Sequence, residues 1–275
     1  MSKINVPQEA NDSVKGSLET GGGVKLPYPH VFFSFRNGQR VAGKAQGELF
    51  YGGFQADQED LVAYADAVGH REMLDQFTLY EISPRSGNVY NAYMRRSLAI
   101  APIAVRSRWF STRENKNVLK TQVAALLGVG KPLHCVGAVV VTASGFNQAK
   151  NLQSALNDNA RMTAGVRREF ANSAAPNFFY QFVGTFGDEN FEMVGKGENK
   201  SPITPIKSYG KVETAEQLEQ LYVGDDLVNL IVDYKNQSED WVNDWKKQDR
   251  QRQEDTGYYG EPPELEVPQD EEIPL

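Results

Sequence analysis

The chain has 275 residues, of which 40% are hydrophobic and 11% aromatic, enough to bury the core of one large domain or two small ones. This composition excludes a fibrous or wholly disordered protein. The longest apolar stretch, Val136 to Ala143, is too short to cross a bilayer, so we expect a soluble, cytoplasmic protein with no membrane partner. A single cysteine, Cys135, and three histidines without zinc-ligand spacing predict no disulfide, no metal and no other cofactor.

Charge is distributed unevenly along the chain. The net charge is −7, but residues 254–275 contain eight acidic residues and no Lys or Arg. Residues 1–211, by contrast, contain 24 basic and 18 acidic residues. A basic body with an acidic end favours a polyanionic partner for the body and a regulatory or recruiting role for the end.

The N-terminal half predicts an arm followed by strands and one helix. Residues 1–25 are polar, include three consecutive glycines and predict a flexible arm. Val31 to Phe35 predicts a strand, and residues 57–68 place apolar side chains at helical spacing behind acidic residues suited to a helix N-terminus. Between residues 76 and 110, two strand-like runs flank a turn signal and predict a hairpin that leads into a longer strand.

The C-terminal half adds one buried strand and several helices. The β-branched run from Leu133 to Thr142 predicts the strand, and residues 147–171 return to helical spacing. Thr214 and Gln217 fit a capping box at the start of a short helix. Apolar residues from Leu227 to Trp245 predict one further helix, whose apolar stripe can pack on its own domain or on a partner subunit, so the oligomeric state stays open.

These elements predict a mainly β protein with helices, in the α+β class. The main domain spans residues 26–211 and is followed by a C-terminal helical segment at 212–251. Residues 252–275 predict a disordered acidic tail, because four prolines prevent helix or sheet and few apolar residues are present to pack.

Basic and aromatic residues alternate between residues 77 and 120. This stretch has eight basic residues and two acidic ones. Single-strand binding needs this pairing, since cations follow the phosphates while aromatic rings stack on bases, worth about 1–3 kcal/mol each. Arg106 and Arg108 share one face of their strand and Trp109 lies on the other, although core aromatics and solvated arginines are the ordinary alternative. The expected DNA-binding residues are Arg85, Tyr90, Tyr93, Arg95, Arg96, Arg106, Arg108, Trp109, Arg113, Lys116 and Lys120.

Signals for catalysis are weak, and we expect the protein not to be an enzyme. Residues 128–132 lack the spacing and the hydroxyl residue of a phosphate-binding loop. His134 and Cys135 would point to opposite faces of a strand, which does not suit a nucleophile and its base. A set of carboxylates could hold Mg²⁺ in a nuclease or occupy helix starts and turns, where acids are common. These are Asp57, Glu59, Asp60, Asp188, Glu189 and Glu192.

The chain ends in acidic residues followed by an apolar tip, Asp270-Glu271-Glu272-Ile273-Pro274-Leu275. Such an end suits a docking peptide, because the apolar residues fill a pocket while the acids engage basic residues around it. The ending resembles that of bacterial single-stranded-DNA-binding proteins, Asp-Asp-Asp-Ile-Pro-Phe, with Leu275 in place of the final Phe. The resemblance implies that residues 270–275 recruit replication, recombination and repair proteins, and that the tail competes with DNA for the basic groove.

The length and layout of the body are similar to those of single-strand-binding proteins from bacteriophages and mobile elements. This resemblance implies an elaborated OB-fold-like barrel, with the helix at 147–171 as its inserted helix, in a bacterial or phage-infected cell. The prediction is therefore a non-catalytic protein that binds and protects single-stranded DNA during replication, recombination or repair. The alternatives are a single-strand annealing recombination protein, a metal-dependent nuclease, or an interaction protein with an acidic docking tail.

Overall fold

A mixed β-sheet with helices on both faces organises the chain. The computed structural model describes residues 24–36, 53–82, 89–111, 117–129, 134–170, 182–187, 192–194, 201–203, 205–209 and 213–256. The arm predicted for 1–25 lies outside these ranges except for its last two residues, and so does the predicted tail beyond Thr256. Within these ranges, no helix combines the length and the apolar character needed to span a membrane.

Eleven strands are seen in the described part of the chain. They are β1 (His30–Arg36), β2 (Gly53–Asp57), β3 (Thr78–Ile82), β4 (Tyr90–Arg95), β5 (Ser97–Ser111), β6 (Asn117–Val129), β7 (His134–Ser144), β8 (Gly184–Gly187), β9 (Glu192–Val194), β10 (Ser201–Ile203) and β11 (Ser208–Tyr209). Nine of them form one sheet in the order β11-β8-β5-β6-β7-β1-β2-β4-β3, while β9 and β10 pair separately. Neighbours in the main sheet are antiparallel except β1 and β7, which are parallel.

The helices lie between strands in the sequence and after the last strand. They are α1 (Gln58–Val68), a 3₁₀ helix (Arg71–Gln76), α2 (Phe146–Phe170), α3 (Ala215–Leu221), α4 (Asp225–Gln237) and α5 (Glu239–Thr256). The α1 helix begins where the Asp57 carboxylate accepts hydrogen bonds from the backbone N–H groups of Glu59 (2.9 Å) and Asp60 (3.3 Å). The helices predicted at 57–68 and 147–171 are thus confirmed to within one residue.

The main sheet is curled into a half-barrel because one stretch of chain supplies two distant strands. Only Arg96 separates the end of β4 from the start of β5, yet β6, β7, β1 and β2 stand between these strands in the sheet. In a flat sheet, five steps of about 4.8 Å would hold β4 and β5 about 24 Å apart. The link from Arg95 to Ser97 spans at most about 7 Å. Curling removes this conflict and gives the mixed α+β half-barrel that is observed.

We call the link at Arg96, between β4 and β5, the corner. Two glycines allow neighbouring strands to approach the backbone of the corner closely. Gly53, in β2, precedes Phe54, which pairs with Arg95 of β4. Gly187, in β8, pairs with Ser97 of β5, so one glycine lies beside each end of the link. Both adopt positive φ, 139° and 122° respectively. A Cβ atom on Gly53 would lie 2.5 Å from the carbonyl oxygen of Arg95, and one on Gly187 would overlap the carbonyl oxygen of Arg96. Both positions therefore require glycine for two reasons, the positive φ and the lack of space for a Cβ atom next to the neighbouring backbone.

Each face of the sheet buries its own core. On the α2 face, α1 and α2 cover residues such as Phe33, Leu98 and Val139. On the α5 face, α4 and α5 cover Ala101 and Val140 with Ile231 and Trp241. The apolar stripe predicted from Leu227 to Trp245 therefore packs on its own domain.

The prediction of a single helix from Leu227 to Trp245 is wrong, because Ser238 separates two helices, α4 and α5. The buried Ser238 hydroxyl donates to the carbonyl oxygen of Tyr234 (2.7 Å) and contacts the Tyr28 hydroxyl (2.7 Å). A serine hydroxyl that bonds the carbonyl four residues earlier bends a helix. Burial raises the pKa of Tyr28 well above its usual value, so this phenol stays neutral. The chain resumes as α5, which runs to Thr256 and therefore includes the first five residues, 252–256, of the predicted tail.

We expect Gly187→Ala to lower the free energy of unfolding by about 3 kcal/mol or more, because the added Cβ forces the corner apart. Gly69→Ala is the control, since Gly69 also has a positive φ (74°) but nothing within 4 Å of its Cβ position. Left-handed strain alone costs about 1–2 kcal/mol. Urea denaturation of both variants measures the difference, and equal losses would show that close approach at the corner is unimportant.

Candidate nucleic-acid interface

β5 and β6 form a long hairpin whose distal part carries four of the predicted binding residues. Arg108 lies opposite Lys120, and the pairing continues to Ser111 opposite Asn117. We call residues 105–111 and 117–122 the hairpin end. Arg106, Arg108 and Lys120 lie on the α5 face and Trp109 lies on the α2 face, which confirms the predicted alternation.

Arg106 is held beneath α5. The residue is 8% exposed, and its guanidinium carbon lies 3.9 Å from the ring centre of Trp241 and 4.1 Å from that of Trp245. Its Nε donates to Gln122 Oε1 at 2.8 Å, and its Nη1 donates to the carbonyl oxygen of Trp241 at 2.9 Å. Gln122 in turn donates to Thr142 Oγ1 at 3.1 Å. The structure therefore places Arg106 where it fastens α5 to the sheet, and not on an open surface.

Arg108, Lys120 and Phe110 form a cationic and aromatic cluster farther along the same face. The Phe110 ring centre lies 5.1 Å from the guanidinium carbon of Arg108 and 5.0 Å from Lys120 Nζ. The Trp245 ring packs edge-on against Phe110, with 5.1 Å between ring centres. The end of α5 lies over the cluster, where Asp249 Oδ1 is 2.7 Å from Arg108 Nε. Phe110 and Lys120 remain only partly buried.

Trp109 and Phe146 form a second aromatic group on the α2 face. Their ring centres lie 6.0 Å apart with an interplanar angle of 20°. Phe146 is the first residue of α2 and is 55% exposed, which is unusual for so large an apolar side chain. Beneath the rings, Gln153 Nε2 donates to Ser107 Oγ at 2.8 Å and to Thr121 Oγ1 at 3.0 Å. The hairpin end thus presents rings on both of its faces.

Phe146 is a candidate binding residue that the sequence did not reveal. In sequence it lies between a buried strand and an amphipathic helix, where an aromatic residue is ordinary. Its neighbour Trp109 is 37 positions earlier, so the stacked pair becomes visible only when the fold brings β5 beside the start of α2. Its high exposure is the one property that sets it apart, and exposure follows from tertiary structure.

Four other predicted residues lie on β4 and at the corner. The Tyr90 hydroxyl accepts a hydrogen bond from Gln55 Nε2 at 2.8 Å, and Tyr93 packs against the core of the α2 face. Arg95 Nη1 donates to Gln76 Oε1 at 2.5 Å, and Arg96 forms the corner between β4 and β5. A strand rises about 3.3 Å per residue, so Arg96 lies about 40 Å from Trp109 along β5. The structure therefore divides the predicted set into a hairpin group and a corner group.

The remaining predicted residues lie outside the described ranges. Arg85 precedes β4, and Asp270, Glu271, Glu272, Ile273, Pro274 and Leu275 are in the tail. Arg113 and Lys116 belong to the 112–116 connection between β5 and β6.

The carboxylates at the start of α1 are accounted for by the helix itself. Asp57 caps the helix, and Glu59 and Asp60 occupy its first turn, where acidic residues interact favourably with the helix dipole. Asp188 and Glu189 lie outside the described ranges. Among the side chains that the structure describes, no group of three or more His, Cys, Asp or Glu residues is arranged to hold a metal ion.

The hairpin end offers cations and planar rings within a few ångströms of each other, a combination that binds anions attached to aromatic groups. No family model, curated protein or solved structure matches the chain.

We expect Arg106→Lys to lower the free energy of unfolding by about 1–3 kcal/mol, since lysine keeps the charge but cannot stack between two indoles or reach both acceptors. Arg71→Lys is the matched control, because Arg71 forms an exposed ion pair with Asp66, with 3.0 Å between Arg71 Nη1 and Asp66 Oδ1. Denaturation followed by tryptophan fluorescence reports on both variants. If the two substitutions had the same small effect, Arg106 would not be fastening α5.

Proposed function

We propose that the protein binds and protects single-stranded DNA without catalysis during replication, recombination or repair, and that the hairpin end is its main contact surface. The observation that carries the proposal is that cations and partly or largely exposed rings occur together at this one place. Arg108 and Lys120 flank Phe110 on one face, and Trp109 stacks with Phe146 on the other. Cations neutralise phosphates, and rings stack on bases of any sequence.

We also propose an elaborated OB-fold-like barrel, in which the curled sheet is the barrel wall. The α2 helix, between β7 and β8, is then the inserted helix, and α4 and α5 form a C-terminal addition that covers the α5 face. OB folds bind single strands across strand surfaces and adjoining loops. The hairpin end supplies a strand surface of this kind.

The position of α5 supports a role for the acidic tail beside this interface. Trp241, near the start of α5, contacts Arg106, and Asp249 contacts Arg108, so α5 runs in the direction in which β5 approaches its tip. With a rise of 1.5 Å per residue, the last residue of α5 is about 10 Å beyond Asp249. The last residue of α5, Thr256, therefore lies near the cations of the hairpin end. We propose that the acidic tail, which follows Thr256 in sequence, competes there with DNA, while its tip recruits replication or recombination proteins in a bacterial or phage-infected cell.

Titration of a labelled oligo-dT at several salt concentrations tests the proposal. We expect binding that weakens as a linear function of log salt, with the oligonucleotide left intact in the presence of Mg²⁺. A protein that fails to bind at low salt even without its tail would contradict the proposal. Degradation of the oligonucleotide would favour a nuclease, and faster pairing of complementary strands would favour an annealing protein.

Replacing Phe146 by Ala is expected to weaken oligo-dT binding about tenfold, within the range of about 1–3 kcal/mol for one stacked base. Phe146→Tyr keeps the ring and should retain most of the affinity. Leu79→Ala serves as the control, because Leu79 is an exposed apolar residue on β3, outside the hairpin end. Equal losses for the Phe146→Ala and Leu79→Ala variants, measured by fluorescence anisotropy, would count against a stacking role.

Truncation after Thr256 is expected to tighten oligo-dT binding, most strongly at low salt. The truncation removes six acidic residues and leaves α5 whole, so the hairpin end loses an anionic competitor for DNA. Replacing both Ile273 and Leu275 by Ala should leave DNA affinity nearly unchanged while reducing capture of partner proteins. Unchanged or weaker DNA binding by the truncated protein would contradict competition by the tail.

A further inference from the structure

The last turns of α5 place an anion on the cationic side of the hairpin end. Asp249 Oδ1 lies 2.7 Å from Arg108 Nε, and Gln248 Oε1 accepts a hydrogen bond from Arg108 Nη1. The side chains of Arg108 and Asp249 are only 12% and 20% exposed. A carboxylate therefore already occupies the place where an anionic ligand of Arg108 would bind.

The geometry of this ion pair leaves part of the guanidinium unsatisfied. Arg108 Nε is buried and has no hydrogen-bond partner among the described atoms, although Asp249 Oδ1 is close. The carboxylate thus neutralises charge without accepting an aligned hydrogen bond from Nε. Guanidinium groups bind phosphate oxygens through paired, directed hydrogen bonds. Arg108 Nε is therefore a donor that a phosphate oxygen can accept from.

The two halves of α5 are held very differently. Trp241 and Trp245 are buried against Arg106. From Lys246 to Gln251, every side chain except Gln248 and Asp249 is exposed. Helices open most easily from their ends, where few buried contacts have to break. The end of α5 can therefore leave Arg108 while the tryptophans keep the start of the helix in place.

We propose that Arg108, Phe110 and Lys120 form a subsite for one nucleotide of a single strand, and that the end of α5 occupies this subsite until DNA displaces it. Arg108 and Lys120 bind the phosphate, and the Phe110 ring, 5.1 Å and 5.0 Å from them, stacks on the base. Asp249 and Gln248 are the internal competitors. The proposal rests on the proposed function and adds to it the residues of one subsite and a helical cover distinct from the acidic tail.

Asp249→Asn in the full-length protein tests the cover. Removing the charge that faces Arg108 is expected to tighten oligo-dT binding about fivefold at low salt. Asp240→Asn removes the same charge from an exposed position in the first turn of the same helix, so less than about a twofold change is expected. If both variants bound oligo-dT more tightly to the same extent, the effect would come from net charge alone, and the proposal would be overturned.

Hydrogen exchange gives a second and independent readout. Binding of oligo-dT to the full-length protein should speed amide exchange in residues 248–256, while amides around Trp241 stay protected. Unchanged or slower exchange at 248–256 in a protein that binds oligo-dT would contradict the proposal that DNA displaces the end of α5. It would not contradict the proposed function. A protein that binds no single-stranded DNA in any variant would overturn both.

Discussion

The buried guanidinium of Arg106 is the interaction on which the arrangement of the hairpin end depends. A charged group taken out of water needs compensating partners. Arg106 has them in Gln122, in the carbonyl oxygen of Trp241 and in the indole rings of Trp241 and Trp245. These contacts hold the start of α5 against β5. Because α5 then runs along β5, its later turns reach Arg108, and the anionic side chain of Asp249 is placed among the cations of the hairpin end.

The curl of the sheet separates the predicted binding residues into two groups. The one-residue link at Arg96 brings β4 next to the start of β5, so Arg95 and Arg96 lie at the corner, beside Gly53 and Gly187. The hairpin end lies at the other extremity of β5. A single nucleotide cannot span both places, so we base the proposed interface on the hairpin group, where cations and rings are in contact.

Local patterns predicted the local structure well. The acidic start and apolar spacing of α1 and the periodicity of α2 gave the bounds of both helices to within one residue, and alternation along β5 correctly put Arg106 and Trp109 on opposite faces. Features that depend on distant partners were not predictable. Ser238 breaks the C-terminal helix beside Tyr28, 210 positions away, and Arg106 is covered by a residue 135 positions away. Strand β6, rich in Ala and Leu, has no alternating pattern and was not anticipated. Single-strand binding itself stays a prediction.

The central claim is that single-stranded DNA contacts the hairpin end. Photo-crosslinking of an oligo-dT that carries iododeoxyuridine, followed by mass spectrometry of the peptides, tests this contact most directly. We expect adducts on Trp109, Phe110 or Phe146, the rings that lie beside the cations or are open to solvent at that place. Adducts confined to β3 and β4, for example on Tyr80 or Tyr90, would contradict it.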